Sequence, residues 1–240
     1  MTSTPNPTSS ASSASPLPDV SSLVIGILGG SGPQGGGLGL RFAMAGHQVL
    51  IGSRSAERGE AAAAKLAATV PGLDLNISGS DNADVAQRAD IVIVAVPWEG
   101  HRELLSGLAK ELAGKIVIDC VNPLGFDKGG AYALPVPEGS AAQQAAAVLP
   151  DSTVVGAFHH VSAVLLMDPS IGRIETDILV VGDDRAATDQ VIELTNRIPG
   201  MRGIYAGKLR NAGQVEALTA NLISVNRRYK AHAGLRVTDV

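Results

Sequence analysis

Short runs of apolar, often β-branched residues alternate with longer stretches in which polar and apolar positions mix. Residues 23–28 (LVIGIL), 47–52, 89–96 (ADIVIVAV), 115–119, 153–158 and 177–181 are apolar enough to form strands covered on both faces. Between them the pattern predicts helices: one opening near residues 30–35, an alanine-rich one over 59–66 that ends near Pro71-Gly72, and a short one over 82–89. Others follow over about 99–113, 140–149 and 185–197, with a long last helix over 210–229. Two further short strands are expected at 75–77 and 203–205. Regular alternation of this kind predicts an α/β fold, a doubly wound parallel sheet in which ligands gather beyond the carboxyl ends of the strands.

Residues 30–35, Gly-Ser-Gly-Pro-Gln-Gly, follow the first strand directly and fit G-x-G-x-x-G. Glycine is wanted at that spacing for a tight turn, for backbone approach to a pyrophosphate and for close helix–strand packing. A helix opening there aims its free N–H groups and positive dipole end at phosphates. A glycine-rich string alone is a common loop feature. The strand–turn–helix–strand setting makes Gly30, Ser31, Gly32, Pro33, Gln34 and Gly35 candidates for holding a dinucleotide.

An NAD site carries an acid about 20 residues further on, against the ribose 2′-hydroxyl. Here the second strand runs instead into Ser53-Arg54, with Arg58 one helical turn beyond and no carboxylate in that place. A hydroxyl and two guanidinium groups suit a dianionic 2′-phosphate. The alternative makes Arg54 and Arg58 solvated charges at a helix end. The position favours NADP over NAD.

Composition narrows the remaining classes. A chain of 240 residues accommodates one α/β unit, or a nucleotide domain with a small partner, and 45% hydrophobic content supports a large core. A net charge of −4 argues against nucleic acid as the main ligand. The one cysteine, Cys120, excludes an internal disulfide and a cysteine-rich zinc site, and scattered histidines offer no metal cluster. Residues 1–22 are rich in Ser, Thr, Pro and Ala without periodicity and are expected to be a disordered tail. They lack the basic start and apolar core of a secretory signal, and no later run has the apolar length of a membrane helix. A cytoplasmic location is the expectation.

Two further segments should converge with the glycine turn, Val96-Pro97-Trp98 and Cys120-Val121-Asn122-Pro123-Leu124, while the strand over 153–158 delivers His159, His160, Val161, Ser162 and Ala163. Adjacent histidines are either a loop feature or a pair of which one enters the cleft. Residues 125–137, rich in Gly and Pro, read as a loop, either a lid or an ordinary connection. Beyond residue 167 the pattern restarts on a smaller scale. This divides the chain into a nucleotide domain over 23–167 and a small C-terminal α/β unit over 168–240, packed on the cleft with Leu209 within reach of the ligand. The long last helix suits either pairing of two subunits or packing within the chain.

Taken in order, several of these pieces resemble one family. They are Leu28-Gly29-Gly30-Ser31-Gly32, Gly52-Ser53-Arg54 with Arg58, Val96-Pro97-Trp98-Glu99, Lys115-Ile116-Val117, Asn122-Pro123-Leu124, the histidine–Ala163 segment and Val215-Glu216-Ala217-Leu218-Thr219. The chain is similar, from Leu23 to about Asn226, to the NADPH-dependent coenzyme F420 reductases, or F420:NADP oxidoreductases. The resemblance implies a Rossmann-like fold and reversible hydride transfer between nicotinamide C4 of NADPH and C5 of F420, a 5-deazaflavin. It implies that Ser31, Gly32, Pro33 and Gln34 hold the pyrophosphate, and Ser53, Arg54 and Arg58 the 2′-phosphate. Val96 and Ala163 would line the nicotinamide side, and His159, Val161 and Leu209 would surround the deazaflavin. It also implies a homodimer whose C-terminal part helps close the deazaflavin cleft. The sequence departs from the family pattern at Gly100, where a larger side chain is common, and at His160-Val161-Ser162, where Thr-Ile-Pro is usual. Direct transfer between two coenzymes needs distance and face fixed more than it needs an acid–base pair, and none stands out here.

Two other readings compete. One keeps NADPH and replaces the deazaflavin by a small imine or carbonyl compound, as in relatives of pyrroline-carboxylate reductase, with His159 or His160 as general acid. The other is a non-catalytic NADP sensor. A deazaflavin site should be broad and apolar, and rimmed by cations for the coenzyme's anionic tail.

Overall fold

The computed structural model describes residues 16–240. In chain order the elements are β1 (Val24–Leu28), α1 (Pro33–Met44), β2 (Gln48–Ser53), α2 (Ala56–Ala67), β3 (Ile77–Asp81), α3 (Asn82–Arg88) and β4 (Ile91–Val94). Then come α4 (His101–Gly107), α5 (Ala109–Leu112), β5 (Ile116–Asp119), β6 (Leu124–Asp127), β7 (Gly130–Ala133), α6 (Ala141–Val148) and β8 (Thr153–Gly156). The chain closes with α7 (Ala163–Met167), β9 (Thr176–Gly182), α8 (Arg185–Asn196), β10 (Met201–Tyr205) and α9 (Ala212–Tyr229).

Alternation along the central strands builds two cores, one on each face of the sheet. Ile25, Ile27, Val49, Ile51, Ile91, Ile93 and Ile118 point to one side; Leu28, Leu50, Val92, Val94 and Val117 point to the other. A two-residue period on strands buried on both faces is what a parallel sheet covered by helices requires. Eight strands lie in the order β10-β9-β8-β5-β4-β1-β2-β3. Winding reverses between β1 and β4, and the crevice at that reversal is where such sheets bind ligands. The sheet is parallel except where β9 runs antiparallel to β8.

Several expectations are corrected by this architecture. The strands assigned to a separate unit beyond residue 167 continue the same sheet, and Ile178, Val180, Val191 and Leu194 share a buried cluster with Ile25 and Phe42. Residues 1–15 lie outside the described part. Of the segment over 1–22 expected to be a disordered tail, the described part holds Val20 buried in that same cluster. Residues 125–137 are not a plain loop: β6 and β7 pair as an antiparallel hairpin, Leu124 opposite Ala133. The helix expected over about 99–113 is broken into a 3-10 turn, α4 and α5, with Leu108 between the last two. The strand expected at 75–77 forms at Ile77–Asp81 instead.

Candidate active site

The glycine turn sits at the carboxyl end of β1. A Cβ on Gly30 would stand 2.9 Å from Ile51 Cγ2, and one on Gly35 would stand 3.0 Å from both Ala95 Cβ and Gly30 Cα. The missing side chains thus let the start of α1 close onto the strand ends. Gly32 N–H donates to Gly29 O at 3.1 Å, and Gly30 N–H donates to Gly52 O at 3.0 Å, tying this turn to the end of β2. The N-cap of α1 is Gly32, which supplies no capping side chain; Pro33 follows, and the first turn holds no acid. Among the described residues the N–H groups of Gln34 and Gly35 have no acceptor. An uncapped N-terminus on a twelve-residue helix suits a phosphate.

At the end of β2, Ser53 is buried, and Arg54 and Arg58 are exposed beside it. The arginine ion pairs of the described residues lie elsewhere, at Arg88, Arg102, Arg173, Arg185, Arg202 and Arg236. Asp81 stands in register with Ser53 on the neighbouring strand, but its Oδ1 accepts the N–H groups of Ala83 and Asp84 as the cap of α3. Two guanidinium groups are therefore free for a 2′-phosphate, and the nearest strand-end carboxylate is engaged.

Beyond β4, β5 and β8 the strand ends open into a cleft of about 370 Å³. Gln34 reaches into it from α1; Val96, Pro97 and Trp98 form one wall, Val121 and Asn122 the floor, and His159, Val161 and Ala163 the far side. The loop after β8 is pinned by three side chains. Gln34 Nε2 donates to Phe158 O at 3.0 Å, Asn122 Nδ2 to His159 O at 2.7 Å and Thr219 Oγ1 to the same oxygen at 3.0 Å. Phe158 itself is fully buried at φ +62°, a left-handed conformation uncommon for a bulky residue, held there by its surroundings.

Two predicted positions behave differently. His159 borders the cleft, but its ring is wholly buried and neither nitrogen finds a hydrogen-bond partner. Leu209 does not line the cleft; it is buried in the cluster of Ala141, Ala212 and Val215. Pro123 is buried just behind Asn122 and supports the hairpin, its carbonyl accepting from Leu134 N–H at 2.9 Å. The resemblance implied that the C-terminal part helps close the cleft but assigned no residue of α9 to it; the closing wall is made by Thr219, Leu222, Ile223 and Asn226. Their spacing of i, i+3, i+4, i+7 was the available signal of one helical face.

Under the floor lies a buried polar network. His101 Nε2 is 2.6 Å from Asp119 Oδ2 and its Nδ1 is 3.0 Å from Gln144 Oε1, so both ring nitrogens face acceptors. Burial works against the charged ring, but the hydrogen bond and charge of Asp119, with Gln144 and Glu216, outweigh it and raise the pKa. Asp119 Oδ1 also accepts Val121 N–H at 3.0 Å, fixing the floor. Glu216 accepts the N–H groups of Ala141 and Ala142 at 2.9 and 3.1 Å, joining α9 to the start of α6. Burial nevertheless pushes its carboxyl up to about 7. Burial holds His159 and His160 down at about 4, and it raises the Cys120 thiol, so that thiol stays protonated and unreactive.

Comparison with known proteins bears on what such a site belongs to. Residues 24–123, from β1 to the floor of the cleft, match the family described as NADP oxidoreductase, coenzyme F420-dependent. Over 223 residues the chain is 38% identical to the F420-dependent NADP reductase of Methanothermobacter marburgensis, covering 91% of this chain and 99% of the relative. The chain belongs to the F420-dependent NADP reductase family. The reductase of that name from Methanocaldococcus jannaschii is 39% identical over 224 residues, 91% of this chain and 99% of its own. A solved structure of a candidate F420-dependent NADP-reductase from Arthrobacter sp. FB24 superposes with a TM-score of 0.75 at 27% identity, covering 90% of this chain and 99% of that one. Covering 91% of this chain, these two relatives extend the family relation well past residue 123.

Proposed function

We propose that this chain transfers hydride reversibly between NADPH and coenzyme F420. The observation that carries the reading is the junction of two sites: an uncapped helix N-terminus at a glycine turn, and an adjoining cleft whose walls combine apolar side chains (Val96, Pro97, Trp98, Leu222, Ile223) with polar ones (Gln34, Asn122, Thr219, Asn226). Direct passage of hydride from nicotinamide C4 to deazaflavin C5 is the chemistry the two coenzymes supply when bound together. Everything else falls to the chain. The turn at Gly30, Ser31, Gly32, Pro33, Gln34 and Gly35 holds the pyrophosphate; Ser53, Arg54 and Arg58 grip the 2′-phosphate. Val96 and Ala163 flank the nicotinamide, and Val161 with the α9 face covers the deazaflavin ring. Pinning of the β8 loop by Gln34, Asn122 and Thr219 fixes the separation of the two walls, on which transfer depends steeply.

A small imine or carbonyl substrate would need a proton donor beside the nicotinamide. His159 and His160 are poor candidates, since both rings are buried and held neutral. Among the described residues no helix is long and apolar enough to cross a membrane, which supports a cytoplasmic enzyme. Assembly as a homodimer is supported by the exposed aromatic rings of Phe126 and Tyr132 on the hairpin and Tyr229 at the end of α9. The test is anaerobic mixing of the protein with oxidised F420 and either NADPH or NADH. Rapid loss of the deazaflavin absorbance with NADPH, and little with NADH, is expected. Tight NADPH binding without any loss would contradict the proposal.

A further inference from the structure

Behind the wall and floor of the cleft stands a buried charge that direct transfer does not itself use. Trp98 and His101 lie at i and i+3 across the 3-10 turn, where His101 N–H donates to Trp98 O, and side chains at that spacing eclipse. Their ring centroids are 5.6 Å apart, with the planes at 32°. Trp98 lines the cleft, whereas His101 is fully buried. The partners of His101 settle where its protons are. Gln144 Nε2 donates to Glu138 Oε2 at 3.2 Å, which orients that amide so that its Oε1 faces His101 Nδ1 at 3.0 Å. Nδ1 therefore carries a proton. The Asp119 carboxylate, 2.6 Å from Nε2, calls for a second proton there and makes the ring an imidazolium. Burial opposes that charge, but Asp119, Gln144 and Glu216 outweigh it. Of the other ionisable groups around the pair, Glu138 is joined to the half-exposed Arg102, and His159, 4.0 Å from Glu216, is held neutral by burial.

We propose that His101 is a positioning residue for the transfer: one buried cation holds the indole of Trp98 against its face and anchors Asp119 beneath Val121, so that the wall and the floor of the cleft keep one spacing. A cation within about 6 Å of an indole centroid is attracted to the ring face. Asp119 Oδ1, which accepts Val121 N–H at 3.0 Å, passes the constraint to the floor and to Asn122, whose Nδ2 pins the β8 loop through His159 O. The proposal rests on the reading of the cleft as the place where the two coenzymes meet. A purely structural ion pair would act on stability and on the folded fraction, and leave the rate within each folded molecule unchanged.

The experiment uses the chain's one tryptophan as its reporter. Protonated imidazole in contact with an indole quenches its emission, and neutral imidazole does so far less. Asp119→Asn keeps an oxygen for Val121 N–H and offers Nε2 a donor, which leaves the ring neutral with its proton on Nδ1. At pH 7, without coenzymes, the variant is expected to emit more strongly than the wild type. In a single anaerobic turnover with saturating NADPH and F420, its rate constant for loss of the deazaflavin absorbance is expected to fall about tenfold, with the amplitude unchanged. Gln144→Met takes away the Nδ1 acceptor without touching Asp119; both readings should move the same way by a smaller factor, and this variant decides the matter if Asp119→Asn does not fold. Equal emission in wild type and variant would overturn the charged stack. A lower amplitude or Tm with an unchanged rate constant would overturn the positioning role and leave a structural ion pair. Failure of the wild type to reduce F420 is a separate result: it would contradict the deazaflavin reading, and the role in transfer would fall with it, whereas the emission comparison needs no coenzyme.

Discussion

At the end of β2 the chain presents guanidinium groups where a carboxylate would select an unphosphorylated ribose. Arg54→Ala is expected to raise KM for NADPH about ten- to a hundredfold, the cost of one charge-assisted contact, and to change KM for NADH less than twofold. Steady-state kinetics with both nucleotides check this, and equal losses would remove the 2′-phosphate assignment. Glu216 offers a second test at the same scale. Its carboxyl lies at about 7 in the fold against 4.5 otherwise, because burial and then the Asp119 charge outweigh the Ala141 and Ala142 N–H groups and His101. The folded protein therefore keeps a proton that the unfolded chain releases, and stability falls as pH climbs from about 4.5 to 7, by on the order of 3 kcal/mol in all. His159 and His160, lowered by burial to about 4 from 6.5, act in the opposite sense: their contribution grows as pH rises through that interval. Glu216→Gln removes only the first effect. Its Tm minus that of the wild type should therefore grow between pH 5 and pH 8. A constant difference would mean the proton is held elsewhere.

Among the elements, α2 and β3 meet backbone to backbone. A Cβ on Gly79 would overlap the Gly59 carbonyl, and one on Gly59 would overlap Ser80. Gly79→Ala is expected to push α2 off the sheet edge and cost about 1–3 kcal/mol, read as a lowered Tm. An unchanged Tm would show that the edge yields freely. This contact explains why β3 was placed too early from sequence. As an edge strand of sequence ISGSD it carries little hydrophobic signal, and β2 and Gly59 position it. β1, β2, β4 and β5 were legible because burial on both faces demands apolar runs. The glycine turn was legible because its backbone admits few other residues. Which residues of α9 form the wall was not legible: a helical period marks an apolar face, and tertiary packing decides what that face covers. The same limit applies to His159, whose place in the sequence is beside the cleft while its ring is wholly buried.

Across the whole molecule, the C-terminal third extends the nucleotide-binding sheet and then folds back over its cleft. β9 and β10 lengthen the sheet, and Asp177 at the start of β9 binds both Arg202 and Arg236, anchoring the segment that follows α9. From the other side, Arg41 of α1 donates to the carbonyls of Leu165, Leu166, Asp168 and Ile171, fixing α7 behind the β8 loop. The helix proposed to meet the phosphates and the loop proposed to border the reacting rings are thereby tied into one frame, suited to bringing two carbons together without an intervening group. The decisive measurement follows one hydrogen. NADPH carrying deuterium at both C4 positions is reacted with F420 in ordinary water, and unlabelled NADPH is reacted with F420 in deuterium oxide. Direct transfer predicts one deuterium at C5 of the reduced deazaflavin in the first experiment and none at that carbon in the second. Label lost to solvent in the first, or taken up at C5 from solvent in the second, would contradict it.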